Sequence, residues 1–143
     1  MKEINTLTKT KSEILADSIA SLNYGDIIDH EQIEQLLGCD KESSAYVNAV
    51  SKAKKKLRRE HSLAIESIRG VGYRVVKPDD YTDYALGYYK RGIHTMENGR
   101  DYLRNAPTRD MSPEARETFR RVNDRAVILE ASMRGVRTEL NMA

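Results

Sequence analysis

Six cations, Lys52, Lys54, Lys55, Lys56, Arg58 and Arg59, stand within a single stretch of eight residues. Upstream and among them, Tyr46, Val50, Ala53 and Leu57 recur at spacings of 4, 3 and 4. At 100° per residue these four apolar positions gather within about 60° of one another on a helix. Asn48, Ser51, Lys52, Lys55 and Arg59 then fall on the opposite side, with Lys54 on a flank. One face packs; the other offers amide and hydroxyl donors together with fixed positive charge. That chemistry suits phosphate oxygens and the edges of bases. Ser43 and Ser44 open the helix, where a serine caps the first turn or donates to a phosphate. The plainer use of such a face is solvation, and charge alone does not separate the two.

The segment that follows, Ile65-Glu66-Ser67-Ile68-Arg69-Gly70-Val71-Gly72-Tyr73-Arg74-Val75-Val76, reads as two short strands around a tight turn. Ile65, Ile68, Val71, Tyr73, Val75 and Val76 are strand formers, and Gly70 and Gly72 supply the backbone freedom of a narrow hairpin. Arg69 stands at the turn and Arg74 on the second strand. A basic helix followed by a short hairpin with an arginine at its tip is the layout of a winged helix-turn-helix. Duplex DNA is therefore the first partner to consider, with Ser44, Asn48, Ser51, Lys52, Lys54, Lys55, Arg59, Arg69 and Arg74 as the contact set.

Shorter elements must hold this pair in place. Thr10-Lys11-Ser12-Glu13 is a capping box, and Ile14, Leu15, Ile19 and Leu22 give the first helix an apolar stripe that Asn23-Tyr24-Gly25 ends. Asp26-Ile27-Ile28 is a short extended piece. Asp29-His30-Glu31-Gln32 is a second capping box; Ile33, Leu36 and Leu37 are the packing side of the helix it starts, and Gly38 stops it. The third helix runs from Ser43 or Ser44 to about His61.

Residues 44–77 resemble the C-terminal half of the OmpR/PhoB-type winged-helix domain of bacterial response regulators. That family's recognition helix ends in an aliphatic–x–x–Leu–Arg–x–Lys–Leu pattern, against Val50-Ser51-Lys52-Ala53-Lys54-Lys55-Lys56-Leu57 here. Its wing reads like Arg-Gly-Val-Gly-Tyr-Arg, which Arg69 to Arg74 match throughout. The resemblance implies that Lys52 and Lys54 take the places of DNA-contacting arginines and that Arg69 reaches an adjacent minor groove. Ala49 and Ser51 stand where the family often has His and Arg, so base-specific readout is expected to be thinner. With no receiver domain, phosphorylation control is not implied; a stand-alone regulator is, of the kind a phage or mobile element carries.

Beyond Lys77-Pro78-Asp79-Asp80 the composition changes. From Tyr81 to about Asn105 the chain reads helical, with Ala85, Tyr89, Gly92, Met96, Gly99 and Leu103 alternating spacings of 4 and 3. Gly87, Gly92 and Gly99 weaken that helix by up to about 1 kcal/mol each and serve either close helix approach or flexibility. Tyr81, Tyr84, Tyr88 and Tyr89 suit an interface seam better than base stacking. After a turn at 106–111, Ser112-Pro113 restarts a helix that runs to about 141. Ala115, Phe119, Val122, Ala126, Leu129, Met133, Val136 and Leu140 form a heptad seam along it. Two such helices, each near 40 Å by ideal geometry, make an antiparallel hairpin that buries little by itself. Such a hairpin is expected to pair with a second copy or with the winged domain, and the seam Phe119, Val122, Ala126, Leu129, Met133, Val136 and Leu140 is read as an oligomer interface.

The chain has 143 residues and a formal net charge of +2, so the cationic signal is local. One cysteine, Cys39, excludes an internal disulfide and suits a reducing compartment. No apolar run nears the roughly 20 residues of a membrane span, and the N-terminus lacks a signal-peptide core, so a cytoplasmic protein without membrane contact is expected. His30, His61 and His94 are far apart without carboxylate or thiol neighbours at ligand spacing, so no metal is expected. Gly70-Val71-Gly72 is too short for a dinucleotide fingerprint, and no nucleophile motif appears; no cofactor and no enzyme are expected.

These readings converge on a mainly α (α+β) chain: a winged helix-turn-helix domain over residues 1–78 and a C-terminal antiparallel helical hairpin over 79–143. The expected function is a small homodimeric DNA-binding regulator of transcription or replication, dimeric through 79–143. The alternative is an adaptor that uses the winged domain or the hairpin to bind a host protein such as RNA polymerase or a nucleoid protein.

Overall fold

The computed structural model describes residues 8–139. It is mainly helical with one small antiparallel sheet. The elements are α1 (Lys11–Ala20), β1 (Ile27–Asp29), α2 (His30–Leu37), α3 (Ser44–Glu60), β2 (Ile65–Ile68), β3 (Gly72–Val75), α4 (Tyr81–Arg104) and α5 (Pro113–Glu139), with 3-10 turns at Pro78–Asp80 and Thr108–Asp110. Two compact units divide the chain, one through Tyr84 and one from Ala85.

Local chemistry explains the boundaries of the first unit. Both capping boxes form: the Thr10 hydroxyl accepts from the Glu13 amide at 3.3 Å, and Asp29 Oδ1 accepts from the Gln32 amide at 2.8 Å. In return the Glu13 and Gln32 side chains accept from the Thr10 and Asp29 amides. Gly38 ends α2 in the left-handed region at φ 66°. Helix α1 stops at Ala20, before the Asn23-Tyr24-Gly25 breaker. There the Leu22 amide turns back to the Ile19 carbonyl, and the Asn23 amide is taken by the Asp26 carboxylate. The competing side-chain acceptor wins over another helical turn.

The sheet order is β1-β3-β2, both pairs antiparallel. Tyr73 in the central strand faces Ile28 on one side and Ser67 on the other. The extended piece at 27–29 thus closes onto the hairpin, a long-range pairing that the local pattern does not announce. Gly72 is required at the crossing with β1: an added Cβ would run into the Ile28 carbonyl oxygen and stand 2.6 Å from Asp29 Cα. Leu15, Ile19, Ile33, Leu57, Val75 and Val76 are the largest fully buried side chains. The core is thus made where α1, α2 and α3 meet one face of the sheet.

The start of α4 belongs to the first unit, and there the Tyr84 hydroxyl donates to the Ile65 carbonyl at 2.9 Å. That unit therefore extends six residues past the expected boundary at 78. In the second unit, Ser112 caps α5 by accepting from the Ala115 amide at 3.2 Å. Helices α4 and α5 are bridged by Arg100–Glu130 at 2.5 Å and Arg137–Glu97 at 3.0 Å. Among the described residues no helix is long and apolar enough to cross a membrane.

Candidate nucleic-acid interface

Helix α3 is sorted into two faces by what it packs against. Tyr46, Ala49, Val50, Ala53 and Leu57 are buried, while Ser44, Asn48, Ser51, Lys52, Lys55 and Arg59 are exposed. The single acid on the helix is Glu60, at its last position, where it pairs with Lys56 at 3.6 Å. The exposed face thus carries hydroxyl and amide donors over its first half, at Ser44, Asn48 and Ser51, and cations over its second, from Lys52. Ser43 is the N-cap: its hydroxyl accepts from the Tyr46 amide and donates to the Asp40 carbonyl, leaving Ser44 free of the capping role. Ala49, at the position where the resembled family often carries histidine, is a core residue and offers nothing to a ligand.

Lys54 lies apart from the other lysines. Its ammonium sits 5.1 Å from the centroid of the Tyr73 ring, a cation–π contact from α3 to β3. Next to it, His30 Nδ1 and the Tyr46 hydroxyl share a hydrogen bond of 2.7 Å, and the His30 and Tyr73 rings meet edge to face. These side chains, with Val47, Ser51 and Gly70, line a groove of about 450 Å3 between α3 and the hairpin turn. Burial pushes the Tyr46 phenol up to about 12, with the neighbouring Tyr73 and Glu34 adding to it; burial also raises Tyr73. Sequence reading placed Tyr46 and Tyr73 among core and strand residues. It missed their joint role with His30, which needs the β1–β3 pairing to bring the start of α2 beside β3.

The hairpin turn carries Arg69 and Val71 exposed to solvent, and Gly70 takes φ 73°. Arg74 is engaged instead: its guanidinium binds the Glu66 carboxylate across the β2–β3 register, with Nε 2.7 Å from Oε1. Of the nine candidate contact residues, seven thus share the free face of α3 and the turn; Lys54 and Arg74 are held by intramolecular partners.

In the second unit, Phe119, Ala126 and Met133 turn partly toward α4, while Val122 (48% exposed), Leu129 (52%) and Val136 (41%) remain open. Leu140 lies outside the described residues. Val127 and Ile128, absent from the sequence seam, are still more exposed. Among the described residues no cluster of His, Cys, Asp or Glu could hold a metal. Cys39 is half-buried against the core. No protein family, characterised protein or solved structure matches the chain.

Proposed function

We propose that this chain is a DNA-binding regulator of transcription or replication. In this reading residues 1–84 are a winged helix-turn-helix and the following helices an antiparallel hairpin that joins two copies. The observation that carries the reading is the free face of α3: Asn48, Ser51, Lys52, Lys55 and Arg59 exposed together, with no acid before Glu60. A helix of this kind presents its free side to the major groove while the hairpin turn, with Arg69, meets the flanking backbone or minor groove. The amide and hydroxyl of Asn48 and Ser51 serve base edges; the cations serve phosphates.

The test is binding to duplex DNA across a salt series. Log affinity is expected to fall with log salt at a slope of about −0.9 per phosphate contact. Changing Lys52, Lys55 and Arg59 together to Ala should make the slope shallower by about two to three units. An unchanged slope in that variant would remove α3 as the binding element.

A second reading, an adaptor for a host protein such as RNA polymerase, is favoured by Val127 and Ile128. These stand 59% and 68% exposed on the side of α5 turned from α4. DNA affinity unaffected by the triple variant, together with loss of partner capture on Ile128→Asp, would shift the assignment there.

A further inference from the structure

Helices α4 and α5 enclose an apolar groove of about 260 Å3, lined chiefly by Met96, Gly99, Leu103, Ala126, Leu129 and Met133. Three features bear on what fills it. The first is the state of the unit itself. Ile93, 9% exposed, is the one buried residue beyond Tyr84 among the described residues, whereas the first unit buries fifteen apolar side chains. Helices of 24 and 27 residues that bury one isoleucine, cover Leu103, Phe119, Ala126 and Met133 only in part and otherwise share surface ion pairs are weakly held as a single hairpin.

The second feature is charge. Glu97 and Arg100 line the groove with Glu130, and all three are already matched within the chain, by Arg137, Glu130 and Arg100 respectively. An occupant therefore meets no uncompensated charge and must bring apolar side chains, which excludes nucleic acid and acidic peptides.

The third feature is relief. A Cβ at Gly92 or Gly99 would meet nothing within 4 Å, so nothing in this chain requires glycine there, although each glycine costs the helix about 1 kcal/mol. With Ala85 they repeat every seventh residue, as do Val122, Leu129 and Val136 on α5. At 100° per residue both rows drift about 20° per heptad, the drift that supercoiled helices absorb. Gly99 and Leu129 border the same groove, so the two rows share a face. That face carries hollows and projections together, which is what a two-fold, self-complementary interface needs.

We propose that the groove is filled by the same face of a second copy, giving a four-helix bundle in which Leu129, Val122 and Val136 of one copy seat over Gly92 and Gly99 of the other. This rests on the dimeric reading above and specifies its interface. The full chain, free of DNA, should sediment at tens of micromolar with twice the 16.3 kDa chain mass. Gly99→Leu should keep the helix content, since the position is open in one chain, and weaken self-association roughly 30-fold or more. Gly99→Ala should weaken it less. A monomer at those concentrations, or association unaltered by Gly99→Leu, would overturn the proposal. The two readings fail separately: the triple α3 variant leaves the mass unchanged, and a monomer that keeps the salt-dependent DNA binding sinks the bundle alone.

Discussion

Lys54 on α3 holds its ammonium 5.1 Å from the centroid of the Tyr73 ring on β3 and so ties the basic helix to the hairpin. Its charge is committed, whereas that of Lys55, one residue on, is free. Lys55→Ala is expected to change the salt slope of DNA binding by about one contact, close to 0.9. Lys54→Ala should change it less and should lower stability by about 0.5–1 kcal/mol through loss of the ring contact. Salt titration and urea denaturation of the two variants separate these effects.

The two arginines of the hairpin differ in the same way. Arg69→Ala should weaken DNA binding by about 1–3 kcal/mol if the turn enters a narrow groove. Arg74 is occupied by Glu66, so Arg74→Ala should weaken it by well under 1 kcal/mol. Equal losses from the two, measured by fluorescence anisotropy, would show that Arg74 leaves Glu66 on binding.

Gly70 and Gly72 are expected to respond unequally to a methyl group. Gly70 has open space around an added Cβ, so Gly70→Ala meets only the left-handed backbone and should cost about 1–2 kcal/mol. At Gly72 the added atom runs into β1, and Gly72→Ala should cost about 3 kcal/mol or more by forcing the strands apart. Thermal unfolding of both variants checks the order.

Alkaline pH should unfold the first unit earlier than its carboxylates and lysines imply. The Tyr46 phenol is raised to about 12 in the fold and returns to about 10 when the chain opens. The folded state holds the proton more tightly, so the stabilisation is complete below pH 10 and is lost as pH rises toward 12. Tyr73 is shifted in the same direction. Tyr46→Phe should flatten this dependence in denaturation curves taken across that range. It should also cost some stability at neutral pH, because His30 Nδ1 loses its 2.7 Å partner.

Much of the first unit was legible because its determinants are local. Thr10 and Glu13, Asp29 and Gln32, and Gly38 act within one helical turn, and the period of Tyr46, Val50, Ala53 and Leu57 orients α3 without any knowledge of its neighbours. Contacts between distant segments were not legible. Ile27–Asp29 shows only that it is extended; that it pairs with Gly72–Arg74 follows from the shape of the packed helices. The same holds for Arg74, whose partner Glu66 stands eight residues away across a turn. Tyr84 belongs to the first unit, where its hydroxyl donates to the Ile65 carbonyl, a contact that hydrophobic spacing does not register. In α5 the seven-residue repeat locates Val122, Leu129 and Val136 but is blind to Val127 and Ile128, which lie off the repeat.

The strand order β1-β3-β2 places the last strand made in the middle of the sheet. During synthesis β1 emerges with nothing to pair with, since its partner residues Gly72 to Arg74 follow more than forty positions later. The β2–β3 hairpin, closed by a three-residue turn, can assemble first and at low entropic cost; capture of β1 over the longer loop must come afterwards. Folding of this unit therefore waits on the arrival of the hairpin, which acts as the seed onto which the early strand is recruited. A nascent chain stalled before Val71 has its three helices but no closed sheet to seal them.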